Sequence, residues 1–506
     1  MEITQLLKYS ENDPMIFTRA LFWVFFMIVL LIYSFLYKKN AWRNAFLFIV
    51  SVYFYYKCGG YYFSLLLWSV LFNYLIGIGI VRTKAKRKKK TVLAAGVSFN
   101  LALLAYFKYA YLFTGWINNS FDTTFEVKNL FADWSNRIAG THFDISAIIL
   151  PVGISFFTFQ AISYIVDVYK GKASVVRNPV DFGFYLSFFP QLVAGPIVRA
   201  AEFIPQMYRK YSLRKEEMGH ALYLIACGLF KKMAVSDYIS INFVDRVFDQ
   251  PELYSGFENL MAAYGYSLQI YCDFSGYTDI AIGLALLMGF RLPANFNSPY
   301  QAYNITDFWR RWHISLSSWL RDYLYIPLGG NRKGRIRTDI NLFITMLLGG
   351  LWHGADIRFI LWGGLHGAAL VLHKAWIRIF PSSDRPFRKK TLAVFIGTVF
   401  TFHFVVFCWI FFRATDIHSA GVMLQRIFTA TPLQFVGDII VGYRFVFGVM
   451  LVGFLLHWCP AQWKELFRGR CVRLHFAWKV VAAVCLIFLL YQIKSSEIQP
   501  FIYFQF

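Results

Sequence analysis

The chain has 506 residues, of which 58% are hydrophobic, 20% aromatic and only 16% charged. A soluble protein of this length would carry about a quarter charged residues, and apolar runs near 20 residues long mark a polytopic membrane protein. The net charge of +23 sits in loops between apolar runs, as in "RTKAKRKKK" (Arg82 to Lys90) and "NRKGRIR" (Asn331 to Arg337), which is the pattern of cytoplasmic loops and excludes nucleic acid as a partner.

Seven cysteines occur and none forms a CxxC pair. Cys227, Cys272, Cys408 and Cys485 lie in apolar runs, so neither a disulfide frame nor a zinc site is indicated. The first apolar run, Met15 to Tyr37, is too long for the core of a cleaved signal and lacks a small-residue cleavage site. The basic loop "YKKNAWRN" after it puts the N-terminus outside.

The runs Ala45 to Tyr56 and Tyr61 to Val81 form a hairpin. Thr91 to Trp116 then crosses outward, and Ala147 to Val168 returns. Phe184 to Ala200, broken by Pro190, Gly195 and Pro196, reads as a re-entrant segment. His220 to about Ser240 goes out, and Leu260 to Leu287, polar in its middle, comes back. Arg291 to Arg337 mixes Trp, Tyr and Arg too closely to span lipid and reads as amphipathic interfacial helices. Ile340 to Trp352 enters and Ile357 to Leu372 returns. Leu392 to Phe412 goes out, Phe435 to His457 comes in, and Phe476 to Tyr491 goes out. The expected architecture is all-α, with roughly eleven transmembrane helices plus re-entrant and interfacial ones, and with both termini outside. No internal repeat supports an inverted-repeat transporter. No linker divides the chain, so residues 1–506 read as one membrane domain, with N-terminal helices over 1–149, a core over 150–372, and C-terminal helices and an external tail over 373–506.

His353 stands out by depth. Thirteen helical residues from Ile340 to Trp352 rise roughly 20 Å, into a hydrocarbon core about 30 Å thick. Gly349, Gly350 and Gly354 are expected to leave space around the ring. An intramembrane imidazole is a functional candidate, and the plain alternative is a histidine bonded to a neighbouring helix. The stretch from Thr306 to Gly330 adds His313. There Arg310, Arg311 and Arg321 would anchor at the anionic leaflet. Asp307, Arg311 and Ser315 would share one helix face, and Trp309 and His313 another. These are parts of a site for a phosphorylated or thioester-bearing ligand, although composition alone favours a simple surface helix. Asp273 and Asp279 would line a polar cavity or, as the preferred account, bond helix to helix with Ser275 and Thr278. His366 and His373, seven apart, could support the site. His403 and His457 read as packed polar residues.

The motifs "LPVGISFFTFQ", "FFPQLVAGPIVR", "YCDFSGYTDIAIG", "DFWRRWHISLSSWLRDYLYIPLGG" and "GGLWHGA" occur in this order in membrane-bound O-acyltransferases, and the chain resembles that family. It is closest to the bacterial branch of the alginate O-acetylation protein AlgI, with the teichoic-acid D-alanylation protein DltB and the peptidoglycan O-acetylation protein PatA as relatives. The resemblance is strong from about Leu150 to Leu372. It implies a fold with a funnel on each face and an acyl-transfer enzyme of the bacterial inner membrane. It implies His353 as the catalytic histidine and His313 toward the cytoplasmic mouth, with Trp352, Asp307, Arg310, Arg311, Ser315 and Arg321 in donor-binding or supporting places. No bound cofactor and no metal are expected. Acetyl-coenzyme A or another acyl thioester is the expected co-substrate, and a periplasmic acetyltransferase of the SGNH type the expected partner. The acceptor is an exported polysaccharide, with peptidoglycan O-acetylation or an ion- or proton-coupled transporter as alternatives.

Burial favours a neutral, basic imidazole, so His353 could take the acceptor's proton while His313 orients the donor or stabilises the oxyanion. The G-x-S-x-G elbow of serine hydrolases is absent from the sequence. The aromatic tail "QPFIYFQF" would either anchor at the interface or fold back so that Tyr503 relays the acyl group as a phenyl ester.

Overall fold

The computed structural model describes residues 9–10, 14–139, 144–380, 391–430 and 433–493. Every regular element among them is helical. The first four helices are α1 (Ala20–Leu36), α2 (Asn40–Gly59), α3 (Phe63–Arg82) and α4 (Lys86–Phe121). The run Asn40–Arg82 is apolar and helical almost throughout, yet it folds back on itself. Phe48 of α2 lies against Gly183, and the Tyr74 ring of α3 is tilted 6.2 Å from that of Phe182. Two well-separated residues of the run therefore meet one short helix, and the reversal falls at Gly60, whose φ is +57°. That is the expected hairpin. α4 has 36 residues, about 54 Å of helix, so its lysine-rich first turns project beyond a hydrocarbon layer of about 30 Å.

α5 (Leu130–Ala139) and α6 (Ile154–Lys170) follow. The expected re-entrant stretch is broken as its prolines demand: α7 (Pro179–Ser187) and α8 (Phe189–Leu192) are short and buried, and α9 (Ala200–Met207) follows. α10 (Lys215–Leu229) continues through π turns, Phe230–Asp237, before the short α11 (Asp245–Asp249).

α12 (Gly256–Leu287) is the spine of the molecule. It begins with a capping box between Ser255 and Glu258. Its apolar window is 78% buried, against 22% for α4, so protein rather than lipid surrounds its polar middle. The backbones of α10 and α12 touch: a Cβ on Gly228 would lie 2.5 Å from the carbonyl oxygen of Gly276. Small residues at such crossings let membrane helices approach closely. Lys231 pairs with Asp279 at 2.6 Å, and Lys232 with Asp273 at 2.5 Å and Asp237 at 2.8 Å. The two carboxylates thus join helix to helix, as the preferred account has it, with lysines from the π turns as the partners.

The segment expected to lie on the surface turns inward. α13 (Ile305–Arg311) and α14 (Ile314–Leu320) are separated at Trp312 and His313. His313 takes φ +43°, which ends one helix and starts the next. The shared face of Asp307, Arg311 and Ser315 therefore does not form, nor does that of Trp309 and His313. Trp312, His313, Leu316 and Trp319 are buried, because protein rings receive these apolar faces instead of lipid.

α15 (Arg335–His353) and α16 (Ile357–Ile379) make the next hairpin, as expected. α17 (Thr391–Arg413), α18 (Ile417–Thr429), α19 (Val436–Gly442), α20 (Arg444–Trp458), α21 (Ala461–Arg473) and α22 (Phe476–Ile493) complete the chain. The single crossing expected over Phe435 to His457 is instead bent by 84° between α19 and α20. Tyr443 sits at the bend and packs its ring 4.7 Å from that of Phe243. Among the described residues, four helices are long and apolar enough to cross a membrane, or up to six if each bent pair is one span. The expected figure near eleven also counts shorter helices, such as α6 and α10.

Two apolar cores result. One joins α1–α3, α6–α9 and the C-terminal half of α12. The other joins the N-terminal half of α12 to α13, α16, α17 and α20. Trp352 belongs to the first, and Trp312, Phe359 and Trp362 to the second. His313 and His353 lie along this seam.

Candidate active site

His353 is the last residue of α15, so its carbonyl is one of the helix's orphan acceptors. Lys108, far along α4, satisfies that end. Its Nζ donates to the carbonyl oxygens of Trp352 at 2.6 Å and His353 at 2.7 Å. Tyr109 Oη donates to the carbonyl of Leu351 at 2.7 Å. A cation at a helix C-terminus also complements the helix dipole. On the far side, Asp356 caps α16 by accepting from the Arg358 amide at 2.9 Å.

Two of the glycines expected to leave space, Gly350 and Gly354, do the opposite. A Cβ on Gly350 would lie 2.1 Å from the Phe359 carbonyl, and one on Gly354 would meet the Phe359 ring at 2.0 Å. They let α16 close onto α15, and aromatic rings fill the remaining volume. The His353 ring stands 4.9 Å from that of Trp352, 5.1 Å from Trp362 and 5.2 Å from Phe412.

His353 nevertheless reaches a cleft. Lys108, Gly153, Phe156, Val193, Trp352 and His353 line it, and its free volume is about 40 Å³. That is room for roughly three waters, which suits a small acyl group and not a sugar ring.

His313 lies across Trp352, its ring 6.2 Å from the indole and 4.6 Å from Phe274. Its Nδ1 lies 3.1 Å from Asn295 Oδ1. An amide oxygen only accepts, so Nδ1 carries the proton and Nε2 is the ring's basic atom. The same Oδ1 accepts from Ser315 Oγ at 2.9 Å, and Ser315 Oγ accepts from the Ile197 amide at 3.1 Å. Asn295 thereby ties the histidine to the broken segment after α8.

Of the residues singled out from sequence, His313, Ser315, Trp352 and His353 come together. Asp307 and Arg311 form their own pair at 3.0 Å, and Arg310 is exposed. Arg321 is exposed and bonds Asp322, which also holds Arg199 at 2.5 Å. Tyr503 lies outside the described residues. His366 is buried behind Trp362, with ring centroids 4.8 Å apart, and His373 Nδ1 is bonded to Thr306 Oγ1 at 2.8 Å. His457 is buried and its Nε2 accepts from the Tyr300 amide, as a packed polar residue does, whereas His403, bonded to Tyr264, is exposed. Sequence patterns did not single out Lys108 or Asn295. Lys108 had a signal, a charge inside the apolar run "LLAYFKYAYLF". Asn295 had none.

The profile of the membrane-bound O-acyltransferase family matches residues 173–415. The chain is 38% identical over 416 residues to the peptidoglycan O-acetyltransferase of Helicobacter pylori, covering 77% of this chain and 74% of that one. The chain belongs to the membrane-bound O-acyltransferase family. It is 39% identical over 421 residues to the probable alginate O-acetylase AlgI of Pseudomonas aeruginosa, covering 82% of this chain and 75% of that one. A more distant match, 29% identical over 283 residues, is the teichoic acid D-alanyltransferase of Bacillus subtilis, covering 53% of this chain and 69% of that one. The family model spans α7 to α17 and so takes in both histidines of the seam. As a member of this family, the protein is a membrane-integral acyltransferase.

Proposed function

We propose that this acyltransferase takes an acetyl group from a cytoplasmic thioester and moves it across the bacterial inner membrane for O-acetylation of an exported polysaccharide. The observation that carries this reading is a buried imidazole, His353, lining a cleft and held at a helix end by Lys108, with a second oriented imidazole, His313, across Trp352. An alcohol is a weak nucleophile at neutral pH. His353 takes the hydroxyl proton as the oxygen attacks the thioester carbonyl, forming the C–O bond. The C–S bond then breaks, and the imidazolium returns the proton to the departing thiolate. The Lys108 charge lines the same cleft and favours the negative charge that develops on the carbonyl oxygen, while His313 orients the donor through its unprotonated Nε2. Acetyl-coenzyme A is the proposed donor, with Arg310, Arg311 and Arg321 as candidate cations for its phosphates.

The small cleft favours a hand-over rather than direct access by polymer. A periplasmic acetyltransferase of the SGNH type would complete the transfer, with Tyr503 as the candidate relay and both chain termini on the periplasmic side. Similarity to the Helicobacter pylori enzyme supports a second acceptor, peptidoglycan. Proteoliposomes given labelled acetyl-coenzyme A on the cytoplasmic face test the reaction: thioester cleavage that vanishes in His353→Ala is expected, and ion flux without turnover would overturn it. Acetyl content of exopolysaccharide and of muropeptides from a deletion strain separates the two acceptors.

A further inference from the structure

A cavity of about 750 Å³ opens on the flank between α12, α17 and α20. It is lined by Tyr264, Gln301, Phe402, His403, Met450 and Trp458, among others. We propose that this cavity is a binding site for an acyl chain of a bilayer phospholipid.

Continuity with the lipid-facing surface is the first argument. Phe395 and Phe400 on α17, and Leu451 and Leu455 on α20, are exposed apolar side chains around the cavity. At this depth the surrounding medium is hydrocarbon. The second argument comes from the polar groups in the lining, which the protein already engages. Tyr264 Oη and His403 Nε2 are 2.9 Å apart, and His403 Nδ1 faces the Val399 carbonyl at 2.8 Å. Thr398 Oγ1 donates to the Val394 carbonyl at 2.9 Å, Gln301 Nε2 to the His457 carbonyl at 2.9 Å, and Trp458 Nε1 to the Tyr300 carbonyl at 3.2 Å. What remains to face an occupant is methyl, methylene and ring surface. A sugar or a headgroup would have to leave its water for such walls without compensation. An acyl chain already in the bilayer loses no hydration, and it restores dispersion contacts that a void lacks.

The chain would rest on structure close to the site. The Phe402 ring packs 5.5 Å from that of Tyr300, and Tyr300 6.2 Å from Trp312, the neighbour of His313. Trp458, half-exposed at one end of the cavity, suits the bilayer interface, where tryptophan gathers.

The full chain, reconstituted in vesicles of phosphatidylethanolamine and phosphatidylglycerol containing a phospholipid with a mid-chain diazirine, tests this. After irradiation, adducts are expected to concentrate on residues 395–403 and 447–458 relative to α1, which faces lipid without such a cavity. Val399→Trp and Leu451→Trp, each filling the cavity, are expected to lose most of that labelling while α1 keeps its own. Even labelling of all lipid-facing helices in the unaltered protein would overturn the proposal, and that map needs no variant to fold. Undiminished cavity labelling in both filled variants, or crosslinks there to a second copy of the chain, would overturn it too.

Discussion

Lys108 Nζ donates to the carbonyl oxygen of His353 at 2.7 Å, although the two residues are 245 positions apart. A lysine in the first long lipid-facing helix therefore fixes the end of the helix that carries the catalytic candidate. The same amine holds the carbonyl of Trp352. Hydrogen bonds to charged groups contribute about 1.5–3 kcal/mol. Lys108→Met removes both and leaves the last turn of α15 to fray.

The expected outcome is a loss of turnover larger than the loss of stability. A displacement near 1 Å at a reacting group can lower rate by about 10²-fold. Thioester turnover in proteoliposomes and a thermal unfolding curve on the same preparation measure the two. Wild-type turnover in Lys108→Met would show that the helix end does not need its cation.

Asn295 sets the tautomer of His313 through the bond to Nδ1. Asn295→Leu removes the acceptor and lets the proton move to Nε2, where it would block the basic atom. A fall in kcat of about 10²-fold is expected, the size of a small misplacement at a reacting group, with KM for acetyl-coenzyme A little changed. His353→Gln in parallel should abolish turnover while the protein stays monodisperse. An Asn295→Leu variant whose only change is in KM would assign His313 to binding.

Much of this arrangement is legible in the amino-acid sequence. The prolines of the re-entrant stretch mark where helices break, because proline restricts the backbone locally, whereas the glycines after Leu348 read as open space and the fold uses them for close helix contact. His353 is legible because a charge-capable ring in an apolar run is expensive. The inward turn at Trp312 and His313 is not legible. An aromatic helix face looks the same whether lipid or protein covers it, and the break at His313 depends on partners such as Asn295, brought in by the fold. The hold of Lys108 on α15 is equally hidden, since no local pattern links residues so far apart. Asp273 and Asp279 show their depth in the sequence, but the π turns that present Lys231 and Lys232 to them have no local signature.

The crossing of α15 and α16 offers a test through packing. Gly350→Ala would put a methyl 2.1 Å from the Phe359 carbonyl and 3.0 Å from the Gly363 Cα. Backbone cannot yield as a side-chain tip can. Overpacking of this kind typically costs about 1–3 kcal/mol, and here it also pushes on Trp352 and His353. A lower unfolding temperature and a loss of turnover are expected together. Gly421→Ala is the control: nothing lies within 4 Å of its Cβ in exposed α18. It should match or exceed wild-type stability, by about 0.5–1 kcal/mol at most.

Acid stability follows from a clasp before the span of α10 begins. Glu217 accepts from the Arg214 amide at 3.0 Å and from the Arg291 guanidinium at 2.5 Å. The Arg214 amide is the largest influence, followed by the Arg291 and Arg214 side chains, and together they pull the Glu217 carboxyl down to about 2. The folded value lies below the ordinary glutamate value of 4.5, so the folded state prefers the ionised form. The resulting stability is fully present above that ordinary value and is lost as pH falls toward about 2. Glu217→Gln removes the titration. The variant should unfold at a lower temperature at neutral pH, and its curve should converge with wild type as pH drops from 4.5 toward 2. Because Glu217 is near the surface, solvent and salt screen the clasp, so the gap at neutral pH should narrow in high salt. Parallel curves for the two proteins across that pH interval would show that Glu217 titrates normally and that the clasp contributes nothing to folding.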